Sequence, residues 1–228
     1  MSKYPRISFS YNFNKYKTMG NIINPYIFSP TVPRENLLAE YLFNNNSLDT
    51  SGNGYNGTDF GTFSYDTVLG KKCVSFTGLA NSYIRSNLNE TAFRTAFTIS
   101  VWVLANNTTD SNKGIYSFSR APLANAPWIV LQQNSSNIRY IYNVQYRQSN
   151  TFTANVWNHY VLTFNGTTWT SYFNNVATSI TQPIGLASSS YLFIGSGYNG
   201  YFNGCIAKFR AYNRVLTVDE ITQLYNEA

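Results

Sequence analysis

Tyr201 to Ala228 reads YFNGCIAKFRAYNRVLTVDEITQLYNEA, and this stretch decides the fold. Ile206, Lys208, Arg210 and Tyr212 alternate with Cys205, Ala207, Phe209 and Ala211. A period of two predicts a strand. After Leu216 the pattern changes. Thr217-Val218-Asp219-Glu220 is a capping box: the threonine hydroxyl accepts from the Glu220 N–H, and the Glu220 carboxylate reaches back to the Thr217 N–H. Val218, Ile221, Leu224 and Tyr225 then recur at helical spacing, which predicts a short amphipathic helix lying on a body. A strand, a turn at Asn213-Arg214 and one capped helix are expected to close the chain.

The rest of the 228-residue chain supplies that body. A length of this order can bury a sizeable core, and all-β sandwiches of this size are commonly one domain. Only 11% of residues are charged and 17% are aromatic, a neutral polar surface over an aromatic core. The net charge of +6 is uneven: Lys3, Arg6, Lys15, Lys17 and Arg34 outnumber Glu35 ahead of Leu37. A nucleic-acid partner fits that segment and not the body. Residues 1–36 alternate aromatic and polar groups between four prolines, so they read as an extended N-terminal arm laid on a protein partner. The opening residues hold no continuous apolar stretch of the secretory kind, and no segment is long and apolar enough to span a membrane. Two cysteines, Cys73 and Cys205, do not make a disulfide framework; a bond between them and two free buried thiols both remain open.

From Leu37 onward short strands follow one another between turn signals. Leu38–Phe43, Phe60–Tyr65, Cys73–Phe76, Tyr83–Arg85 and Thr98–Leu104 come first. Gly114–Ser119, Trp128–Gln132, Arg139–Arg147 and Leu192–Gly195 follow. Trp157–Phe164 and Trp169–Phe173 read as a hairpin across Asn165-Gly166, the dipeptide of a type I′ turn. Many short strands with one terminal helix predict an antiparallel β-sandwich.

Several motifs, in order, resemble one family. They are Glu40-Tyr41-Leu42-Phe43 leading to Asp49-Thr50-Ser51-Gly52-Asn53-Gly54, then Val74-Ser75-Phe76-Thr77-Gly78, and Phe97-Thr98-Ile99-Ser100-Val101-Trp102-Val103. Trp157-Asn158-His159-Tyr160-Val161-Leu162-Thr163 and the closing strand and helix complete the set. Together they resemble the laminin-G-like branch of the concanavalin A-like lectins and glucanases. The resemblance covers Leu37 to the C-terminus and implies an all-β, two-sheet antiparallel jelly roll with one short C-terminal helix. The domain division expected is 1–36 for the arm and 37–228 for the jelly roll.

The chemistry expected is binding. Glycoside hydrolysis needs two carboxylates flanking the bond. The glucanase members resembled here carry theirs at alternate positions of one strand, and this chain has no such cluster. His159, the only histidine, follows Trp157 at period two and reads as a packing residue. No His/Cys set has zinc spacing. Calcium suits the loop Asn44–Asn53, with Asp49 and Asn53 as its ligands if it is bound. Yet where many relatives place acids, this chain has Asn44 and Ala207, with Lys208 next.

Sugar rings stack on aromatics and pair through hydroxyls with amides and guanidinium groups. Trp128, Tyr198 and Tyr201 are the stacking candidates; Arg139, Asn143, Gln145 and Arg147, taken as one polar face of a single strand, are the hydrogen-bonding ones. The sequence thus reads as a non-catalytic, lectin-like module with glycans or glycoproteins as partners. Its alternative is a structural capsid- or surface-associated subunit, homo-oligomeric and anchored by the arm. A subunit exposed on a virion or phage particle would satisfy both.

Overall fold

The computed structural model describes residues 31–93, 95–118, 129–142, 145–181, 191–197 and 200–227; the proposed arm lies outside them as far as residue 30. In chain order the strands are β1 (Leu37–Tyr41), β2 (Gly57–Phe60), β3 (Ser64–Val68), β4 (Lys71–Thr77), β5 (Tyr83–Asn89) and β6 (Phe97–Ala105). Next come β7 (Lys113–Ser117), β8 (Ile129–Asn134), β9 (Asn137–Tyr142), β10 (Gln145–Thr151), β11 (Asn158–Phe164) and β12 (Thr168–Phe173). The last are β13 (Val176–Thr181), β14 (Tyr191–Ile194), β15 (Ser196–Gly197), β16 (Gly200–Tyr201) and β17 (Asn203–Tyr212), before the helix α1 (Val218–Asn226).

Two sheets form the expected jelly roll. The first runs β13-β12-β11-β6-β17-β4-β3, with β1 also on β17; the second runs β10-β9-β8-β7-β14-β5-β2, with β15 and β16 beside it. Pairing is antiparallel except for β16 on β7. Between the sheets Val74, Phe76, Ile84, Leu88, Ile99, Val101 and Phe209 form part of one buried core.

Strand β6 shows why the sandwich needs its helix. Ile99, Val101 and Val103 enter the core, yet Thr98, Ser100 and Trp102 on the other face are buried too. Helix α1 and its flanks cover that second face of the first sheet. Ile221 and Leu224 pack with Leu37, Val161, Tyr172, Tyr212 and Leu216, and burying each aliphatic contributes about 1.5–3 kcal/mol. The capping box forms as its spacing predicts: Thr217 N–H donates to Glu220 Oε2 at 2.8 Å, and Glu220 N–H donates to Thr217 Oγ1 at 3.2 Å. The apolar stripe is narrower than expected, however. Val218 in the first turn is 62% exposed.

The closing strand departs from strict alternation. Ala207 partners Trp102, while Arg210 partners Ser100, so β17 carries one residue more than β6 between these pairs. The extra residue is a β-bulge, and Lys208 takes a left-handed φ of +47° there. Sidedness flips across it. Ile206 points into the core before the bulge and Phe209 and Ala211 do so after it, so Arg210 and Tyr212 fall on the helix side, with Cys205 and Ala207 rather than with Ile206.

Two further expectations are corrected. Phe60–Tyr65 is not one strand: β2 and β3 belong to different sheets. Gly61 makes the corner at φ +76°, where any Cβ would collide with the Asn81 carbonyl. At the β11–β12 hairpin the loop residues are Gly166 and Thr167, since Asn165 N–H donates to Thr168 O. Only Gly166 has positive φ there, whereas type I′ needs it at both central positions. Asn165 instead accepts from the Thr167 and Thr168 N–H groups through its side chain.

Both cysteines are free and buried. Residues ahead of β1 are tied to the end of β17: Tyr212 Oη donates to Pro33 O at 3.1 Å, Arg214 Nε to Glu35 O at 3.0 Å, and Asn213 N–H to Asn36 O at 3.1 Å.

Candidate functional site

Strand β5 alternates sharply. Ile84, Ser86 and Leu88 are buried, while Arg85 and Asn87 are exposed and Tyr83 is half-buried. Antiparallel register sets Phe60 of β2 opposite Tyr83, and Phe193 of β14 opposite Arg85. Directly opposed residues share a face. Their side chains therefore meet on the outward face of the second sheet, away from the core.

The result is a platform of rings around one cation. Phe60 and Tyr83 stack with centroids 4.8 Å apart and planes 14° from parallel. Tyr83 and Phe193 meet edge-on at 5.8 Å. The Arg85 guanidinium lies 5.4 Å from the Phe60 ring centre and 5.9 Å from that of Tyr191, within cation–π range. Tyr191 is 46% exposed. An aromatic face beside a guanidinium is the combination that holds a sugar: C–H groups stack on the ring, and hydroxyls accept from the five-donor fork. Tyr83–Arg85 reads as a strand from sequence, but none of these rings nor Arg85 is among the candidates singled out there. The cluster's signal was the alternation Tyr83-Ile84-Arg85-Ser86-Asn87-Leu88, which puts a ring and a cation on the side without aliphatics.

Of the residues singled out from sequence, Trp128, Asn143 and Tyr198 lie outside the described residues. Arg139 lies on the outward face of the second sheet, opposite Gln132. Arg139 Nη2 and Gln132 Nε2 both donate to Asn112 Oδ1, at 2.8 and 3.0 Å. It stands three strands from β14 in the sheet order, about 14 Å across the sheet. Gln145 and Arg147 do not continue its strand. The segment expected as one strand from Arg139 to Arg147 is a hairpin of β9 and β10, in which Gln145 partners Tyr142 and Ser149 partners Arg139. Tyr201 is half-buried on β16, and its hydroxyl donates to Asn81 Oδ1 at 2.9 Å.

The Asp49 loop is organised by its own hydrogen bonds. Asp49 Oδ1 accepts from the Glu40 and Ser51 N–H groups, and Oδ2 from the Tyr55 N–H and the Ser51 hydroxyl. Asn53 Nδ2 donates to the Leu37 and Leu38 carbonyls. Apart from the Ser51 hydroxyl, these partners are backbone groups. Among the described residues no cluster of three His, Cys, Asp or Glu side chains could hold a metal ion. Asn44 lines a cavity shared with three lysines instead.

His159 is buried. Its Nε2 lies 2.8 Å from Ser100 Oγ, and its ring stacks on Trp102 at 4.8 Å. Tyr225 of α1 lies parallel to Trp102 at 5.7 Å, and the Lys71 ammonium sits 4.3 Å from the same indole. Burial, then the charges of Arg210, Lys71 and Lys208, push the His159 pKa down to about 3. It is a neutral packing residue. Asp59 is engaged by the Ser47 and Tyr65 hydroxyls, and Glu40 by Arg34, Arg210 and Thr50.

A laminin G-type family model, described as the Concanavalin A-like lectin/glucanases superfamily, matches residues 77–222. The chain belongs to this superfamily. Among solved structures it is similar to domain 4 of AbnA, a GH43 extracellular arabinanase from Geobacillus stearothermophilus, in complex with arabinotriose. That likeness has a TM-score of 0.69 at 21% identity, over 83% of this chain and 98% of that domain. It is also similar to the receptor binding domain of botulinum neurotoxin C/D mosaic serotype (TM-score 0.67, 17% identity, 85% of this chain and 51% of that one). The binding domain of botulinum neurotoxin DC in complex with SialylT is a further neighbour (0.64, 15%, 85% and 52%). The chain thus spans about half the length of these toxin domains. At such identities the likeness shows a shared lectin-type sandwich. No curated protein matches the chain. No described helix of this superfamily member is long and apolar enough to cross a membrane.

Proposed function

We propose that the protein is a non-catalytic carbohydrate-binding module whose site is the outward platform of Phe60, Tyr83, Arg85, Tyr191 and Phe193. The carrying observation is the Arg85 guanidinium set between the Phe60 and Tyr191 rings, with Tyr191 46% exposed. A surface ring held by a cation offers a pyranose or furanose both a stacking face and a donor fork. Fold neighbours in complex with arabinotriose and with SialylT support this reading, and they name the ligands to try first. Arg139, three strands from β14 and about 14 Å across the sheet, extends the same face for a longer chain.

The test is an array of arabino-oligosaccharides and sialylated glycans probed with the full chain, followed by calorimetry on any ligand bound. Tyr191→Ala and Arg85→Ala are each expected to weaken binding about tenfold, which corresponds to about 1.4 kcal/mol, with no change in melting temperature. Binding that both variants leave intact, or no binding to any glycan, would overturn the proposal.

A further inference from the structure

We propose that the cavity at the edge of the first sheet binds a small oxyanion: a sulfate, phosphate or carboxylate group, free or carried on a saccharide. This site is separate from the aromatic platform, which is built on the second sheet. Its cavity holds about 230 Å³ and is lined by Asn44, Gly70, Lys71, Lys72, Lys208 and Glu227, with Leu42. That is room for an anionic group and several waters.

The charges converge. Lys71 Nζ and Lys208 Nζ each lie 3.3 Å from one backbone oxygen, the Glu227 carbonyl. The two ammonium groups are therefore within twice that distance of each other. Lys72 stands exposed at the rim. The carboxylate lining the cavity, Glu227, is 3.5 Å from Lys208 and already holds both Nη atoms of Arg210, at 2.6 and 2.9 Å. Arg210 and Arg34 in turn share Glu40. Among the described residues the cavity lining itself holds three lysines and one carboxylate, and that carboxylate is already paired with Arg210. A metal ion would be repelled; an anion would settle the excess.

The backbone is bent to make this arrangement. Lys208 sits on the β17 bulge at φ +47°, in the left-handed region that a lysine rarely adopts. On the facing hairpin, Leu69 and Gly70 have φ of +46° and +81° and deliver Lys71 and Lys72 to the cavity. Burial, then the Lys208 charge, pulls the Lys71 ammonium below its usual pKa. An anion between the two would relieve that repulsion.

The test uses calorimetry on the full chain at fixed ionic strength, with sodium sulfate, sodium phosphate, galactose 6-sulfate and galactose as titrants. Saturable binding of sulfate or phosphate is expected, with galactose silent. Lys71→Gln with Lys208→Gln should abolish it. Because that pair could also loosen the fold, Lys72→Gln on the exposed rim is the second variant, expected to weaken binding severalfold with an unchanged melting temperature. Galactose 6-sulfate binding tenfold tighter than sulfate would place the anion on a saccharide; equal affinities would make it a free ion. Tyr191→Ala should leave this binding intact, which separates it from the platform. The proposal fails if sulfate gives only an unsaturable stabilisation shared by Lys72→Gln, the general effect of an excluded salt. It also fails if the lysine substitutions leave binding unchanged.

Discussion

Arg210 Nε donates to Glu40 Oε1 at 2.8 Å, and both side chains are almost wholly buried. This pair links β17 to β1 from opposite ends of the body. Thr50 and Arg34 complete the Glu40 carboxylate, and Glu227 completes the guanidinium. Removing one partner strands a buried charge. Glu40→Gln or Arg210→Met is therefore expected to cost about 3–5 kcal/mol in urea unfolding, and the double variant less than the sum. Additive losses would contradict a coupled pair.

The same carboxylates set an acid limit. Burial raises the Glu40 pKa, but hydrogen bonds from Thr50, Arg210 and Arg34 together outweigh it and hold the group below its ordinary value. Glu220, chelated by Arg214 at 2.6 and 2.8 Å, is lowered to about 2. A depressed carboxylate contributes stability above its unfolded pKa and loses it as pH falls through the folded one. Stability from these two groups should be full above about pH 5 and drain away towards pH 2. Unfolding midpoints across that range measure it, and Glu220→Gln should flatten the lower part of the curve.

His159 acts higher on the pH scale. Its folded pKa of about 3 lies below the unfolded value of 6.5, so between these values the unfolded chain binds the extra proton. Stability then rises with pH across that window. About 2 kcal/mol should be lost between pH 8 and pH 5 from this group alone, at about 1.4 kcal/mol per pH unit. Denaturant melts at the two pH values provide the check. His159→Gln, which keeps a polar group near Ser100, should remove that slope.

The closing helix offers a graded series by calorimetry. Thr217→Ala breaks the cap and should cost about 1 kcal/mol. Ile221→Ala, at a fully buried position, should cost about 2–5 kcal/mol. Val218→Ala should cost within about 0.5 kcal/mol, since the side chain is 62% exposed. A large loss at Val218 would show that the first turn is covered by a partner.

Asp49 tests metal dependence. With three hydrogen bonds from its own loop and one from the Glu40 N–H of β1, Asp49→Ala should cost about 2–3 kcal/mol, equally with or without EDTA. EDTA should leave the melting temperature of the unaltered chain unchanged. A fall of many degrees, restored by calcium, would assign the loop to an ion.

The sequence by itself determined what depends on neighbours a few residues away. The Thr217–Glu220 cap spans three residues, so its chemistry is complete before the chain folds. Alternation in Thr98–Leu104 marked a strand, and the ordered motifs from Glu40 to Tyr225 marked the jelly roll. Tertiary structure decided what depends on a partner strand. Nothing in Ala207-Lys208-Phe209 announces a bulge, because a lysine at positive φ is strained locally and is accepted only through the register of β17 on β6. That one inserted residue turns Arg210 away from the core to meet Glu40 and Glu227. The Phe60, Arg85 and Tyr191 platform likewise gathers side chains from three strands separated by long stretches of chain. Their pairing order, set by core packing on the opposite face, is a property of the whole sandwich and not of any one segment.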